Sequence, residues 1–280
     1  MSRVDEIVST LNSLEPLPQV AMRVLELSRR DDLIPRELAD VVKTDPAITA
    51  KVLKLCNSAF YGFRREIGSV EEASNMIGTR ALTNLVLTSC GGQYFRDYGE
   101  STAASREALW ERCVTIALAS SVLAKLHGDV DKNRAYTVGL LQNIGHLVMD
   151  RFLHEERDTI KDEVDAGETI LAAEEHVLGL HHAEVGARLV ERWDFPEVLV
   201  DTIRHHHVPS QASIDPDLAG VVQMAEHVTS CLENGNGLSG MLGELAGFSI
   251  DLDGLGGMSI GELEALLASE LERAREFVTA

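Results

Sequence analysis

A chain of 280 residues, 45% of them hydrophobic and with no low-complexity bias, carries enough apolar surface to bury a substantial core without disulfide staples. Its 45 acidic against 25 basic side chains leave a net charge of -20, which repels polyanions and confines any nucleic-acid binding to a local basic patch. The longest apolar stretches, such as 81–90, fall well short of the roughly 20 residues that span a bilayer, so no membrane role is expected.

Apolar residues recur at three- and four-residue steps along most of the chain, and strand-like alternation is nowhere sustained. The expectation is an all-α, multi-helical bundle of short helices. Val20, Val24 and Leu27 open the pattern, and Leu38, Val41 and Val42 continue it, giving four or five short helices between Leu14 and Phe95. Asp45-Pro46 sets an N-cap acceptor before a proline at the first helical position, and Ser69-Val-Glu-Glu72 fits a capping box. A long helix over Arg106–Leu126 follows, then a mostly apolar, buried one over Tyr136–Phe152. Phe195-Pro196 opens another. Gly62, Gly68, Gly78, Gly128 and Gly179 separate the periodic segments, where a residue tolerating positive φ ends a helix.

The character of the chain changes past Glu233. Asn234-Gly-Asn-Gly237 leads into a glycine-rich acidic passage, and Ser259-Ile-Gly-Glu262 caps a last helix with an apolar stripe at Leu263, Leu266, Leu267, Leu271 and Phe277. That helix either packs back on the domain or serves a partner, a homodimer included. The organisation read from these features is an N-terminal helical part over 1–105, a second helical part over 106–232, and a linker with its helix over 233–280.

Cys56, Cys90, Cys113 and Cys231 lie far apart with no C-x-x-C spacing, and no N-terminal run joins basic residues to an apolar segment. A reducing, cytoplasmic setting is the expectation. Cys56 falls at helical spacing with Val52 and Leu55 and reads as a small core residue rather than a nucleophile. Asn57-Ser58 ends its helix and pins a loop bearing Phe60, Tyr61 and Phe63. These aromatics either fill the core or, with Asn57, Arg64 and Arg65, form a protein-docking surface. Arg64 and Arg65 with Arg80 are the one hint of a basic patch, and they read as solvated surface, so no nucleic-acid partner is expected. No phosphate-binding glycine loop, dinucleotide fingerprint or serine-hydrolase elbow occurs in the sequence.

Several separated motifs in one order resemble the HDOD domain family: Leu17-Pro18-x-Val20, Lys43-Thr-Asp45-Pro46-Ala-Ile-Thr-Ala-Lys51-Val-Leu53, Asn57-Ser-Ala-Phe-Tyr-Gly62, Ile67-Gly-Ser-Val70 and Ile77-Gly78. The resemblance continues through Gly139-Leu-Leu141, Ile144-Gly145, His182-Ala-Glu-Val-Gly186, Trp193-x-Phe-Pro196 and His206-His207, covering roughly 12–232. It implies a helical fold related to the HD and HD-GYP metal phosphohydrolases, in a bacterial signalling setting where such modules are regarded as noncatalytic regulators.

In that resemblance, HD-type hydrolases hold one or two metal ions with a His, a His-Asp pair and a later Asp, and the metal activates a water against a phosphoester. The corresponding positions here are Arg112, Gln142-Asn143 and Glu226. A fixed cation repels a metal ion, neutral amide oxygens are weak ligands, and the glutamate reaches one methylene further than aspartate. His182, His206 and His207 resemble the additional histidines of HD-GYP enzymes, and with Glu226 they leave a divalent transition metal possible in an off-register site. His146 reads as a structural residue or a polar wall of the pocket. No cofactor is expected. The resulting expectation is a noncatalytic signal-transduction module that binds a protein partner or small ligand; the alternative is a metal-dependent phosphohydrolase with a rearranged His/Glu site.

Overall fold

The computed structural model describes residues 2–30, 32–58, 60–97 and 102–233, together with 262, 265, 266, 268 and 269. Among these residues the chain is all-α. The helices are α1 (Arg3–Ser13), α2 (Gln19–Ser28), α3 (Pro35–Val42), α4 (Pro46–Cys56), α5 (Val70–Ile77), α6 (Thr79–Asp97), α7 (Ala103–His127), α8 (Lys132–Leu141), α9 (Ile144–Glu155), α10 (Arg157–Asp165), α11 (Ile170–Leu178), α12 (His182–Arg192), α13 (Glu197–His205) and α14 (Pro216–Glu233). A 3-10 turn, Pro209–Gln211, separates the last two. Among the described residues no helix is long and apolar enough to cross a membrane. The glycine-rich linker and the Ser259 capping box lie outside the described residues, as do all members of the terminal apolar stripe except Leu266, which is helical.

Local chemistry accounts for most helix starts. Asp45 accepts from the Ala47 and Ile48 amides, with Pro46 at the first helical position, so two otherwise orphaned donors are satisfied. Ser69 accepts from the Glu72 amide, but the Glu72 carboxylate accepts from Gly68 N–H rather than from Ser69 itself. The box is therefore half closed, and Gly68 holds the turn through its amide without a positive φ; among the described residues Gly62, Gly78, Gly128, Gly167 and Gly179 are the glycines that adopt one. Helix α1, which apolar periodicity does not single out, has a complete capping box between Ser2 and Asp5.

The apolar segment expected as one helix over Tyr136–Phe152 is two. Helix α8 stops at Leu141, the chain turns at Gln142-Asn143, and α9 restarts at Ile144. Steric contact explains the break. A β-carbon on Gly145 would lie 1.9 Å from the His182 carbonyl oxygen and 2.8 Å from the Gly186 nitrogen, so α9 leaves the line of α8 to cross α12 backbone against backbone. The α7–α8 contact is of the same kind, with a Gly139 β-carbon position 2.6 Å from Ser120 Oγ and 2.9 Å from Ala117 Cα.

One continuous apolar core runs from Ile7 in α1 to Val228 in α14. Long-range polar bonds lock its parts: Arg192 Nη1 donates to the Leu11 and Leu14 carbonyls, Tyr94 OH to the Glu15 carbonyl, and Thr137 Oγ1 to Asn84 Oδ1. The consequence for the site is a rigid frame. The ends of α8, α12 and α13 and the inner faces of α7, α11 and α14 are all fixed by packing rather than by loops.

Candidate functional site

Within this frame five titratable side chains, from α9, α11, α12 and the turn that ends α13, meet. His182, in the first turn of α12, is 1% exposed, and its Nδ1 lies 2.7 Å from Glu174 Oε2, which also accepts from the His182 amide at 2.8 Å. Glu174 is itself 1% exposed. Its other oxygen lies 3.4 Å from His146 Nε2, and the His146 ring packs against His182, tilted by 32°, with centroids 4.0 Å apart. On the other side of His182 its Nε2 faces His207 Nε2 at 3.0 Å. His206, fully buried at the C-terminal end of α13, sets its Nδ1 2.7 Å from the Ile203 carbonyl, and its Nε2 is buried without a protein partner.

The bonds fix the tautomers. A carbonyl can only accept, so His206 carries its proton on Nδ1 and presents a bare lone pair at Nε2. An ionised Glu174 makes the same assignment for His182. Burial, followed by the neighbouring His146, pulls the His182 imidazolium down to about 4. Burial also lowers His206 and His207, with Glu226 opposing at His206 and the His206 charge reinforcing at His207. His182, His206 and His207 are therefore neutral at pH 7. Burial works to raise Glu174, but hydrogen bonds from His146 and His182 outweigh it and hold the carboxyl below the usual range.

Next to this cluster stand the positions that the resemblance matches to HD metal ligands. Asn143 Nδ2 donates to Glu226 Oε1 at 3.4 Å, and Arg112 Nη2 lies 4.0 Å from the same oxygen while donating to Ser230 Oγ at 2.7 Å. Glu226 Oε2 is 3.8 Å from His207 Nδ1. Arg112, Asn143 and Glu226 therefore come together beside the histidines. Gln142 is fully buried at the α8–α9 turn, and neither its amide nitrogen nor its oxygen has a protein partner. Burial raises the Glu226 carboxyl, but His206, His182 and Arg112 together prevail and lower it.

The two halves of the site suit different chemistry. A binuclear hydrolytic centre needs a bridging carboxylate and a cluster of ligands around it. Arg112 brings a permanent positive charge into that half, and Gln142 and Asn143 bring none of the negative charge required. That set does not fit a metal pair. The histidine set does fit one ion: the ligand nitrogens of His182, His206 and His207 lie within 4.8 Å of one another, as do those of His146, His182 and the Glu174 carboxylate. Glu226 belongs to neither group.

Glu174 is the residue that sequence reasoning missed. Its signal was present: it occupies an inward position of α11 beside Ala173, one turn from Leu178, where an apolar side chain is the usual occupant. His181 and His205 turn away as their adjacency implies. His181 caps α12 by accepting from the Glu184 amide, and His205 pairs with Asp201 at 3.1 Å.

The second candidate region is the α4–α5 loop. The Asn57 carboxamide donates to the Leu53 and Ile67 carbonyls and accepts from the Ile67 amide. Tyr61 and Phe63 stack at 6.0 Å and, like Phe60, are partly buried against the core. Arg64 and Arg65 are exposed, with Arg65 Nη2 2.6 Å from Glu72 Oε1. Cys56 is fully buried, and burial, then the Glu72 charge, pushes its thiol up to about 11, the reverse of nucleophile activation.

Comparison with known proteins agrees with this architecture. An uncharacterised protein of Treponema pallidum (strain Nichols) is 31% identical over 208 residues, 71% of this chain, and the chain spans 39% of that relative's length. A protein of Shewanella amazonensis SB2B provisionally named a phosphohydrolase has a solved structure that is 25% identical and superposes with a TM-score of 0.76 over 97% of this chain and 98% of its own. An HDOD domain protein of unknown function from Geobacter sulfurreducens gives the same TM-score at 22% identity, covering 98% of both chains. The fold is shared with a further chain provisionally named a signal transduction protein, from Marinobacter aquaeolei VT8, at 21% identity and a TM-score of 0.69 over 99% of this chain and 64% of its own. Residues 14–209 match the sequence profile of the HDOD domain, and the chain belongs to that family.

Proposed function

We propose that this chain is a noncatalytic signal-transduction module, which acts by binding a protein partner or a small ligand and passing on its occupied state. The observation that carries the reading is the Arg112–Glu226–Asn143 constellation. Where a hydrolytic metal pair would be held, a guanidinium and a carboxamide both lie against one oxygen of Glu226, Oε1. A bound water needs metal charge nearby to ionise near neutral pH, and this half of the site offers a competing cation instead. Buried polar atoms without protein partners at Gln142, Asn143 and His206 give the site capacity to recognise a ligand.

A second reading is a metal-dependent phosphohydrolase with a rearranged site. Its support is the His182–His206–His207 cluster, together with the provisional name of the Shewanella relative. The two separate in one assay. The full chain is incubated with bis(p-nitrophenyl) phosphate and with cyclic dinucleotides in the presence of manganese, ferrous iron or magnesium. The noncatalytic reading expects no turnover above that of metal alone. Turnover that disappears in the His206→Ala variant would overturn it.

A further inference from the structure

We propose that His182, His206 and His207 form a mononuclear site for a first-row transition metal ion of the zinc or cobalt class, bound through their three Nε2 atoms and oriented by Glu174. The inference deepens the reading of this pocket as a ligand-binding site, by naming the ligand.

Geometry is the first argument. Imidazole nitrogens bind such ions at about 2.0–2.1 Å, which places two ligands of one tetrahedral or octahedral ion about 2.9–3.4 Å apart. The Nε2 atoms of His182 and His207 are 3.0 Å apart. Without an ion, two neutral imidazoles at that distance need one to donate to the other. The protein already directs the His182 proton to the opposite ring nitrogen, leaving His207 as the sole available donor. A shared ion satisfies both lone pairs at once.

Orientation is the second. A metal-binding histidine typically donates its other N–H to a carboxylate or a backbone carbonyl, which fixes the ring and raises its basicity. His182 has the first kind of partner in Glu174 at 2.7 Å, and His206 has the second in the Ile203 carbonyl at 2.7 Å. Neither bond is a by-product of surface packing, since His182, His206 and Glu174 are each no more than 1% exposed.

An unmet atom is the third. His206 Nε2 is buried with no protein partner, in a structure that satisfies the opposite nitrogen of the same ring. Leaving such a lone pair dry is costly. Metal coordination removes that cost. The set also selects the ion: three neutral imidazoles suit zinc, cobalt, nickel or copper and are poor ligands for magnesium or calcium. Two buried carboxylates, Glu174 and Glu226, stand beside the histidines to offset the added charge, and three protein ligands leave a coordination position open to a small anionic or thiol ligand.

The test uses the full chain, stripped with a chelator and titrated with cobalt(II), whose visible ligand-field bands report nitrogen coordination directly. One ion per chain is expected. His207→Ala should abolish tight binding, and Glu174→Gln should weaken it about 10- to 100-fold while keeping the bands, because the ligands remain and their orientation is loosened. His176→Ala, on an exposed ring outside the cluster, should change nothing. Thermal unfolding of each stripped variant shows whether it is folded; should His207→Ala fail to fold, the Glu174→Gln affinity and the His176→Ala control decide. Absence of stoichiometric cobalt, or equal affinity in the wild type and in folded His207→Ala, would overturn the proposal. Cobalt bound without phosphoester turnover supports both this site and the noncatalytic reading. Binding with turnover keeps the site and defeats the noncatalytic reading, whereas no binding and no turnover does the reverse.

Discussion

His182 shows how far a single side chain can be taken from its solution behaviour by where it is placed. In the unfolded chain its imidazole takes up a proton near pH 6.5, and in the folded protein only at about 4. Between those values the unfolded state binds more protons, so stability falls as the pH is lowered and is regained above 6.5. From this residue alone the loss amounts to on the order of 3 kcal/mol. Urea unfolding of the chelator-stripped protein should therefore show a midpoint that declines steadily from pH 6.5 to 4. A midpoint constant over that range would show that the imidazole is not held neutral. The histidines themselves were legible in the sequence, because the resemblance points at them, but their orienting carboxylate was not. Glu174 carries no motif, and only its place on an apolar helical face marks it.

Asn57 gives the opposite lesson at the same scale. Its sequence context allows a docking role, while its carboxamide spends three hydrogen bonds on bridging the end of α4 to Ile67. Asn57→Ala should lower unfolding stability by about 1–3 kcal/mol, since the Ile67 amide loses its acceptor. Differential scanning calorimetry checks this, and an unchanged melting temperature would remove the bridging role.

Among the elements, the junction of α8 and α9 decides the site. Periodicity alone continues the helix through Gln142-Asn143, because no proline interrupts them and Asn143, although it is the N-cap of α9, makes no side-chain capping bond. What stops it is tertiary: α12 lies so close that Gly145 has no room for a methyl group. The Gly145→Ala variant must push α9 off α12 and so displace His182. We expect a loss of about 3 kcal/mol or more, the upper range for overpacking, together with loss of whatever the histidine cluster binds. Thermal unfolding measures the first effect and ligand titration the second; a variant of wild-type stability would mean that the two helices are not held in backbone contact. By contrast, the cap at Asp45 and the helix it begins were readable residue by residue, since N-caps are local chemistry.

At the scale of the whole molecule, the all-α class and the run of short helices along the chain followed from periodicity and capping signals. The convergence of α7, the α8–α9 turn, α9, α11, α12, α13 and α14 on one site did not, because it depends on crossings between helices far apart in sequence. That convergence divides the pocket into a histidine half suited to one ion and an Arg112 half unsuited to any. The most direct test of this division is the number of metal ions per chain at saturating manganese or zinc, measured by elemental analysis after equilibrium dialysis. The account predicts a ratio that does not exceed one, because Arg112, Gln142 and Asn143 hold no second ion. A ratio of two, with the second ion lost in an Asn143→Leu variant, would contradict it.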